Sequence, residues 1–150
     1  MFTLLRTNST NIDFIDLVEQ LTAYFAVIDG EDHAFYSQFN KIGSLKHVIV
    51  AYESDKALGC GAIREFSTDI VEVKRMYVLP ECRGKGIASK ILAELEGWAK
   101  DLGYNTCILE THKKQADAVA LYNKAGYRVI PNYGQYANME TSICFEKTLS

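Results

Sequence analysis

The chain has 150 residues, 48% of them hydrophobic and 23% charged, with a net charge of −3. That is the size and make-up of one globular domain with a sizeable core of its own, and no apolar run nears the ~18 residues a membrane span needs. The mild negative charge gives no broad attraction to nucleic acid.

The N-terminal MFTLLRTNST lacks the apolar run of a secretory leader. Cys60, Cys82, Cys107 and Cys144 are scattered without C-x-x-C spacing, which points to reduced thiols and no metal site. A cytosolic protein with neither nucleic acid nor membrane as partner is expected.

Residues 2–6 suit a first strand. A helix follows, opened by Thr10 and Asp13 in a capping-box spacing, with Ile12, Ile15, Leu21, Phe25 and Ile28 as its stripe and Gly30 as its stop. A shorter aromatic helix is expected over residues 32–41, with Phe35, Tyr36 and Phe39 on one side and Gly43 ending it. From His47 the period changes to two. Val48, Val50 and Tyr52 make one strand and residues 58–64 the next, joined as a hairpin through Glu53-Ser54-Asp55-Lys56.

Val71, Val73, Tyr77 and Val78 form a third strand that Pro80 stops. Gly84 and Gly86 then open a long helix, whose face is Ile87, Ile91, Leu95, Trp98 and Leu102 and whose end is Gly103. Residues 106–111 read as a buried strand, so this strand, helix, strand unit implies a parallel crossover. Ala116, Val119, Ala120 and Ala125 suggest a last helix closed by Gly126. A strand pair over residues 127–130 and 142–148 flanks the loop 131–141.

The chemistry concentrates where the third strand meets the long helix. Free amides of a helix's first turn, its dipole and the basic Arg83 and Lys85 make a site for a phosphate or pyrophosphate. A Walker loop is excluded, because Gly84-Lys85 is followed by Gly86 rather than Ser or Thr. A dinucleotide fingerprint is excluded too, because Ser89 stands where its third glycine belongs.

Arg83-Gly84-Lys85-Gly86-Ile87-Ala88 resembles instead the R/Q-x-x-G-x-G/A signature of the GNAT superfamily of N-acetyltransferases. Residues 120–127, ALYNKAGY, resemble that family's L-Y-x-K-x-G-F/Y element, and the order of elements fits most of the chain. The resemblance implies a mixed, mostly antiparallel α/β sheet of six or seven strands with helices on both faces. It implies acetyl-CoA as co-substrate, with the amides of residues 83–88 on its pyrophosphate and the backbone of Met76, Tyr77 and Val78 along its pantetheine arm. Gln115 occupies a place where many members carry a pantetheine-contacting Asn.

The same resemblance makes Glu72 the candidate base for the acceptor amine and Tyr122 the candidate acid for the departing thiol. Read without it, Glu72 is a solvated strand glutamate or one ion-paired with Lys74 or Arg75, and Tyr122 a core tyrosine. Phe35, Tyr36, Tyr133 and Tyr136 are candidate contacts to the acceptor, since aromatic loops often carry substrate. His33, His47 and His112 are lone histidines without ligand spacing, and His112 is the alternative base. Direct transfer to a small-molecule amine, such as an amino acid or a derivative of one, is the expected reaction. A peptide or protein amine, a homodimer, and a non-catalytic acyl-CoA-binding regulatory module stay open.

Overall fold

A computed structural model describes residues 2–29 and 45–150, apart from the side chains of Phe25, Ile28 and Asp29. The helix expected over residues 32–41, with Phe35, Tyr36 and Phe39, lies outside them, as do Gly30 and Gly43. Strand β1 (Thr3–Thr7) leads to helix α1 (Ile12–Asp29), then to β2 (His47–Glu53), β3 (Lys56–Glu65) and β4 (Ile70–Val78). Helix α2 (Ile87–Asp101), β5 (Thr106–His112), α3 (Ala116–Lys124), β6 (Arg128–Ile130) and β7 (Ser142–Thr148) complete the chain. The seven strands form one sheet in the order β1-β2-β3-β4-β5-β7-β6, antiparallel throughout except for β4 beside β5.

The core follows from strands that are apolar on both faces. Val48, Ile49, Val50 and Ala51 of β2 are all fully buried, so both faces of the sheet centre are covered. Ile87, Ile91, Leu92, Leu95 and Ala99 of α2 cover one face. Each large aliphatic buried there contributes about 1.5–3 kcal/mol relative to exposure. Gly61 of β3 lets α2 approach, because a Cβ there would stand 2.5 Å from Met76 Sδ and 2.9 Å from Ile91 Cγ2. Helix α1 covers the other face with Phe14, Leu17, Val18 and Leu21, spaced i, i+3, i+4, i+7.

The sequence reading of α1 needs two corrections. Its N-cap is Asn11, whose Oδ1 accepts the Phe14 N–H at 2.9 Å and whose carbonyl accepts the Ile15 N–H. Thr10 turns its hydroxyl to Asn8 Oδ1, and Asp13 accepts a hydrogen bond from the Tyr52 hydroxyl at 2.7 Å. The helix therefore begins one residue later than Thr10 would start it, and its buried stripe runs through Phe14 rather than Ile12, which is 81% exposed. At the far end of α2, Leu102 likewise lies past the packed turns and is exposed. Gly103 ends that helix as expected, in the left-handed region at φ +96.

Candidate active site

Two irregularities in β4 build the site. The first is a bulge. Between the pairs Lys74–Ala62 and Tyr77–Cys60, β4 spends two residues, Arg75 and Met76, against Gly61 alone, and Arg75 takes a positive φ of 61°. For a side chain larger than glycine that conformation costs roughly 1–2 kcal/mol. It also reverses the strand's alternation. Glu72 and Lys74 share the α1 face with Tyr77, while Met76 turns to the α2 face beneath Gly61.

The second is a parting of strands. Strand β4 pairs with β5 only through Ile70–Thr106, Val71–Cys107 and Glu72–Ile108. Beyond Glu72 the two separate, so among the described residues the backbone groups of residues 73–78 on the β5 side have no strand partner, while β5 continues along β7 to His112. A gap therefore opens in the sheet.

At the end of that gap lies the glycine loop. Pro80–Cys82 forms a single 3-10 turn, and Gly84 and Gly86 both adopt φ +80, a region open to glycine at little cost. Gly86 caps α2 without any side-chain bond, and the N–H groups of residues 84–89 make no hydrogen bond among the described residues. Among the described residues a Cβ at either glycine would meet no atom within 4 Å, so they leave the surface above these amides open. Arg83 points elsewhere: its Nε donates to the Val78 carbonyl at 3.0 Å, and its guanidinium lies 5.6 Å from the Tyr24 ring and 5.7 Å from the Tyr77 ring. Lys85 is exposed, Ile87 is buried in the core and Ala88 is partly buried against it.

Glu72 is 2% exposed and sits in a polar cluster on the α1 face. Its Oε2 accepts the Tyr133 hydroxyl at 2.8 Å, its Oε1 accepts Arg64 Nη2 at 3.2 Å, and Lys74 Nζ stands 3.9 Å from Oε1. The ion-pair partners are thus Arg64 and Lys74. Burial, then the charge and hydrogen bond of Glu72, push the Tyr133 hydroxyl well above its ordinary range, so it stays a donor. Burial lowers the Lys74 ammonium; Glu72 opposes that, and Arg75 and Arg64 add to it. Tyr136 is buried in a small second core with Cys144, Ile130, Tyr133 and Met139, and Asn132 ties this loop down through the Met139 and Ser142 carbonyls.

Tyr122 lies on the opposite face. Its ring, 5% exposed, packs against Tyr127 and Phe145, each with centroids 5.8 Å away. Phe145 pairs with Leu109 on the α2 side of β5. Among the described residues the Tyr122 hydroxyl has no hydrogen-bond partner, and burial, then the charge of Glu110, raise it so that it keeps its proton. Gln115 precedes α3, and its Oε1 accepts the Thr111 hydroxyl at 2.9 Å, which leaves its amide donors for other partners. His112 is buried, with Nδ1 accepting the Lys114 N–H.

The structure thus gathers Tyr133 with Glu72, and Met76, Tyr77, Val78 and the glycine loop along one edge of the gap. It does not bring Glu72 and Tyr122 into contact; they lie on opposite faces of the sheet. Phe35 and Tyr36 lie outside the described residues. Sequence reasoning missed the role of Arg64, eight residues upstream of Glu72, which only the antiparallel register of β3 and β4 places opposite it. An open cavity of about 320 Å³ at the far end of the sheet, lined by His47, Ile63, Glu65, Val71 and Tyr104, holds no residue of the glycine loop.

The implied group, acetyl-CoA, fits what is present: bare amides at a helix start suit a pyrophosphate, and an unpaired strand edge suits an amide-bearing arm. Comparison with known proteins agrees. Residues 14–127 match the Acetyltransferase (GNAT) family. An IAA acetyltransferase from Azospirillum brasilense is 37% identical over 102 residues, 67% of each chain. The uncharacterized N-acetyltransferase YjgM of Escherichia coli K12 is 32% identical over 109 residues, 71% of this chain and 64% of that one, so the chain spans about two thirds of these relatives. A solved structure from Klebsiella pneumoniae, assigned as an acyl-CoA N-acyltransferase, superposes with a TM-score of 0.84 at 29% identity, over 100% of this chain and 99% of that one.

Proposed function

The chain belongs to the GNAT family of acetyltransferases, and from that premise we propose that it moves an acetyl group from acetyl-CoA directly to the amine of a small molecule. The observation that carries this reading is the gap between β4 and β5, which opens past Glu72 and runs toward the free amides of residues 84–89.

Acetyl-CoA, when bound, supplies the activated thioester. The amides at the start of α2 and its dipole hold negative charge, and the unpaired edge of residues 76–78 orients what lies along it. Glu72 accepts the proton that the attacking amine loses as its nitrogen bonds to the acyl carbon. Tyr122 gives its proton to the sulfur as the carbon–sulfur bond breaks, and solvent restores both groups. A buried tyrosine with a raised hydroxyl is suited to this, since it remains protonated through the alkaline range in which free amine is abundant.

Transfer without a covalent enzyme intermediate is supported by the cysteines. All four are free and buried, and burial pushes Cys60 and Cys107 up to about 12 and Cys144 to about 11, far from thiolate nucleophiles. Free thiols also support a reducing, cytosolic setting.

The test is release of free CoA thiol from acetyl-CoA across a panel of primary amines. Turnover with at least one amine is expected. Tight acetyl-CoA binding with no turnover on small amines or peptides would make the chain a binding module instead.

A further inference from the structure

Tyr133 is bonded to the proposed base, yet the proposed reaction gives it no part. It stands in the loop between β6 and β7, 61 residues past Glu72, and its hydroxyl donates to Glu72 Oε2 at 2.8 Å. Strand β5 lies between β4 and β7 in the sheet, so this bond joins elements that backbone pairing does not connect. The tyrosine is itself held. Its ring meets Phe66 edge-on at 5.4 Å and Tyr136 at 5.8 Å, and its carbonyl accepts the Tyr136 N–H at 2.9 Å. Asn132 beside it donates to the Met139 and Ser142 carbonyls. With the ring so placed, the freedom left to the hydroxyl is rotation of its hydrogen about the C–O bond.

The neighbours of Glu72 differ in what they can do once it takes a proton. Arg64, 3.2 Å from Oε1, and Lys74, 3.9 Å from it, are donors only. Both support the carboxylate, and neither can accept from the carboxyl O–H that forms when a proton arrives. A hydroxyl both donates and accepts. Among the described residues Tyr133 is therefore the one partner of Glu72 that can bond it in either state. Glu72 is 2% exposed, so a carboxyl O–H left alone there would bear the cost of an unmet buried donor.

We propose that Tyr133 is a positioning residue for the base: its hydroxyl donates to the Glu72 carboxylate before proton transfer and, turned about its C–O bond, accepts from the Glu72 carboxyl afterwards. This rests on the reading of Glu72 as the base in acetyl transfer. The proton leaves the amine nitrogen for Glu72 Oε2, and solvent later takes it away. The tyrosine keeps its own proton throughout, which suits a hydroxyl that burial and the charge of Glu72 hold protonated. In this role Tyr133 acts through Glu72 and not on the acceptor.

The experiment is a double-mutant cycle of Tyr133→Phe and Glu72→Gln, read as kcat and KM with a primary amine that the parent acetylates. Phe keeps the ring beside Phe66 and Tyr136, so the domain should fold, with a melting temperature lower by a few degrees. Loss of a hydrogen bond to a buried carboxylate predicts a fall of about 10–100-fold in kcat. Acetyl-CoA affinity and acceptor KM should stay near those of the parent. In the Glu72→Gln background, where no base is left to hold, the same change should cost less than about twofold. The loss should also shrink in alkaline buffer, which supplies free amine.

A residue that only supports the fold would lower kcat by one factor in both backgrounds and at every pH, and that result overturns the proposal. Equal kcat in Tyr133→Phe and the parent overturns it too. A rise in acceptor KM with kcat kept overturns it and makes Tyr133 an acceptor contact. Failure of the base reading shows itself separately, as a Glu72→Gln variant that matches the parent, and it takes this role with it. No turnover with any amine removes the acetyltransferase reading and this role together.

Discussion

The two ends of the site are built from different materials. At the start of α2, recognition is a matter of backbone: amides of residues 84–89 without partners, two glycines at φ +80, and exposed side chains that point away or into solvent. On the α1 face of β4 it is a matter of side chains: Glu72 is buried, Tyr133 donates its hydroxyl to it, and Arg64 and Lys74 stand beside it. A backbone site tolerates side-chain change but not a change in chain conformation or local charge. A buried ionic cluster behaves in the opposite way, since each member's removal leaves the others uncompensated.

The largest effect should come from Gly86→Asp. A carboxylate at this N-cap position lies among the free amides, bonds to them itself and repels a phosphate. Calorimetric titration should show acetyl-CoA binding abolished. The left-handed φ costs roughly 1–2 kcal/mol and an Asp cap gains only a few tenths of a kcal/mol over Gly, so the melting temperature should fall by a few degrees with the domain still folded. Unchanged affinity in the folded variant would remove the pyrophosphate site from this loop.

Next in size is Glu72→Gln. Gln keeps an acceptor for Tyr133 but takes no proton, so turnover at neutral pH should fall by about 10²–10⁴-fold, with acetyl-CoA affinity kept. Activity should recover in part in alkaline buffer, which deprotonates the amine itself. A pH–rate series on both proteins reads this, and superimposable profiles would return Glu72 to an ion-pair role with Arg64 and Lys74.

The same division explains what was legible in the sequence. A backbone site needs glycines, a strand before them and an apolar helical stripe after them, and all three are written locally, so the loop, α2 and the parallel crossover to β5 are placed correctly. The side-chain cluster is assembled by register. Arg64 reaches Glu72 only because β3 pairs antiparallel with β4, and no spacing in the sequence announces the bulge at Arg75. Counting by twos would put Met76 on the face of Glu72 and Lys74, whereas it lies against Gly61 on the other face.

At α1, Thr10 and Asn11 are both good caps, and the sequence cannot say which of them the chain uses until Asn8 takes up Thr10. Tyr136 illustrates the same limit: an aromatic loop residue suits substrate contact and core equally, and packing against Cys144 puts it in the core.

Tyr122→Phe tests the proposed acid and should have a smaller effect. The ring that packs on Phe145 and Tyr127 is retained, so folding and cofactor affinity should stay close to the parent. Deleting the hydroxyl breaks no hydrogen bond among the described residues. A positioned acid contributes about 10²–10⁴-fold, and a thiolate is already a fair leaving group, so a loss near 10² is expected. Single-turnover rates are required, because slow product release hides the chemical step. Equal rates would make Tyr122 a packing residue.

The smallest effect should be that of Lys85→Ala, and it is the most direct measure of whether the loop end is made of backbone. Lys85 stands between the two glycines, is exposed, and has no ion pair among the described residues. A solvated ammonium near a phosphate gains about 0–1 kcal/mol, which corresponds to no more than about a fivefold change in affinity. That small contribution should shrink further as salt is raised, because the Debye length falls from about 10 Å at 0.1 M to about 3 Å at 1 M. The amides, fixed by φ at Gly84 and Gly86 and aligned with the dipole of a fifteen-residue helix, lose nothing in the variant. Titrations of parent and Lys85→Ala with acetyl-CoA at low and high salt should therefore converge. A loss of a hundredfold or more, persisting at high salt, would mean that the lysine closes over the ligand as a desolvated partner, and the contrast between a backbone-built end and a side-chain-built end would fail.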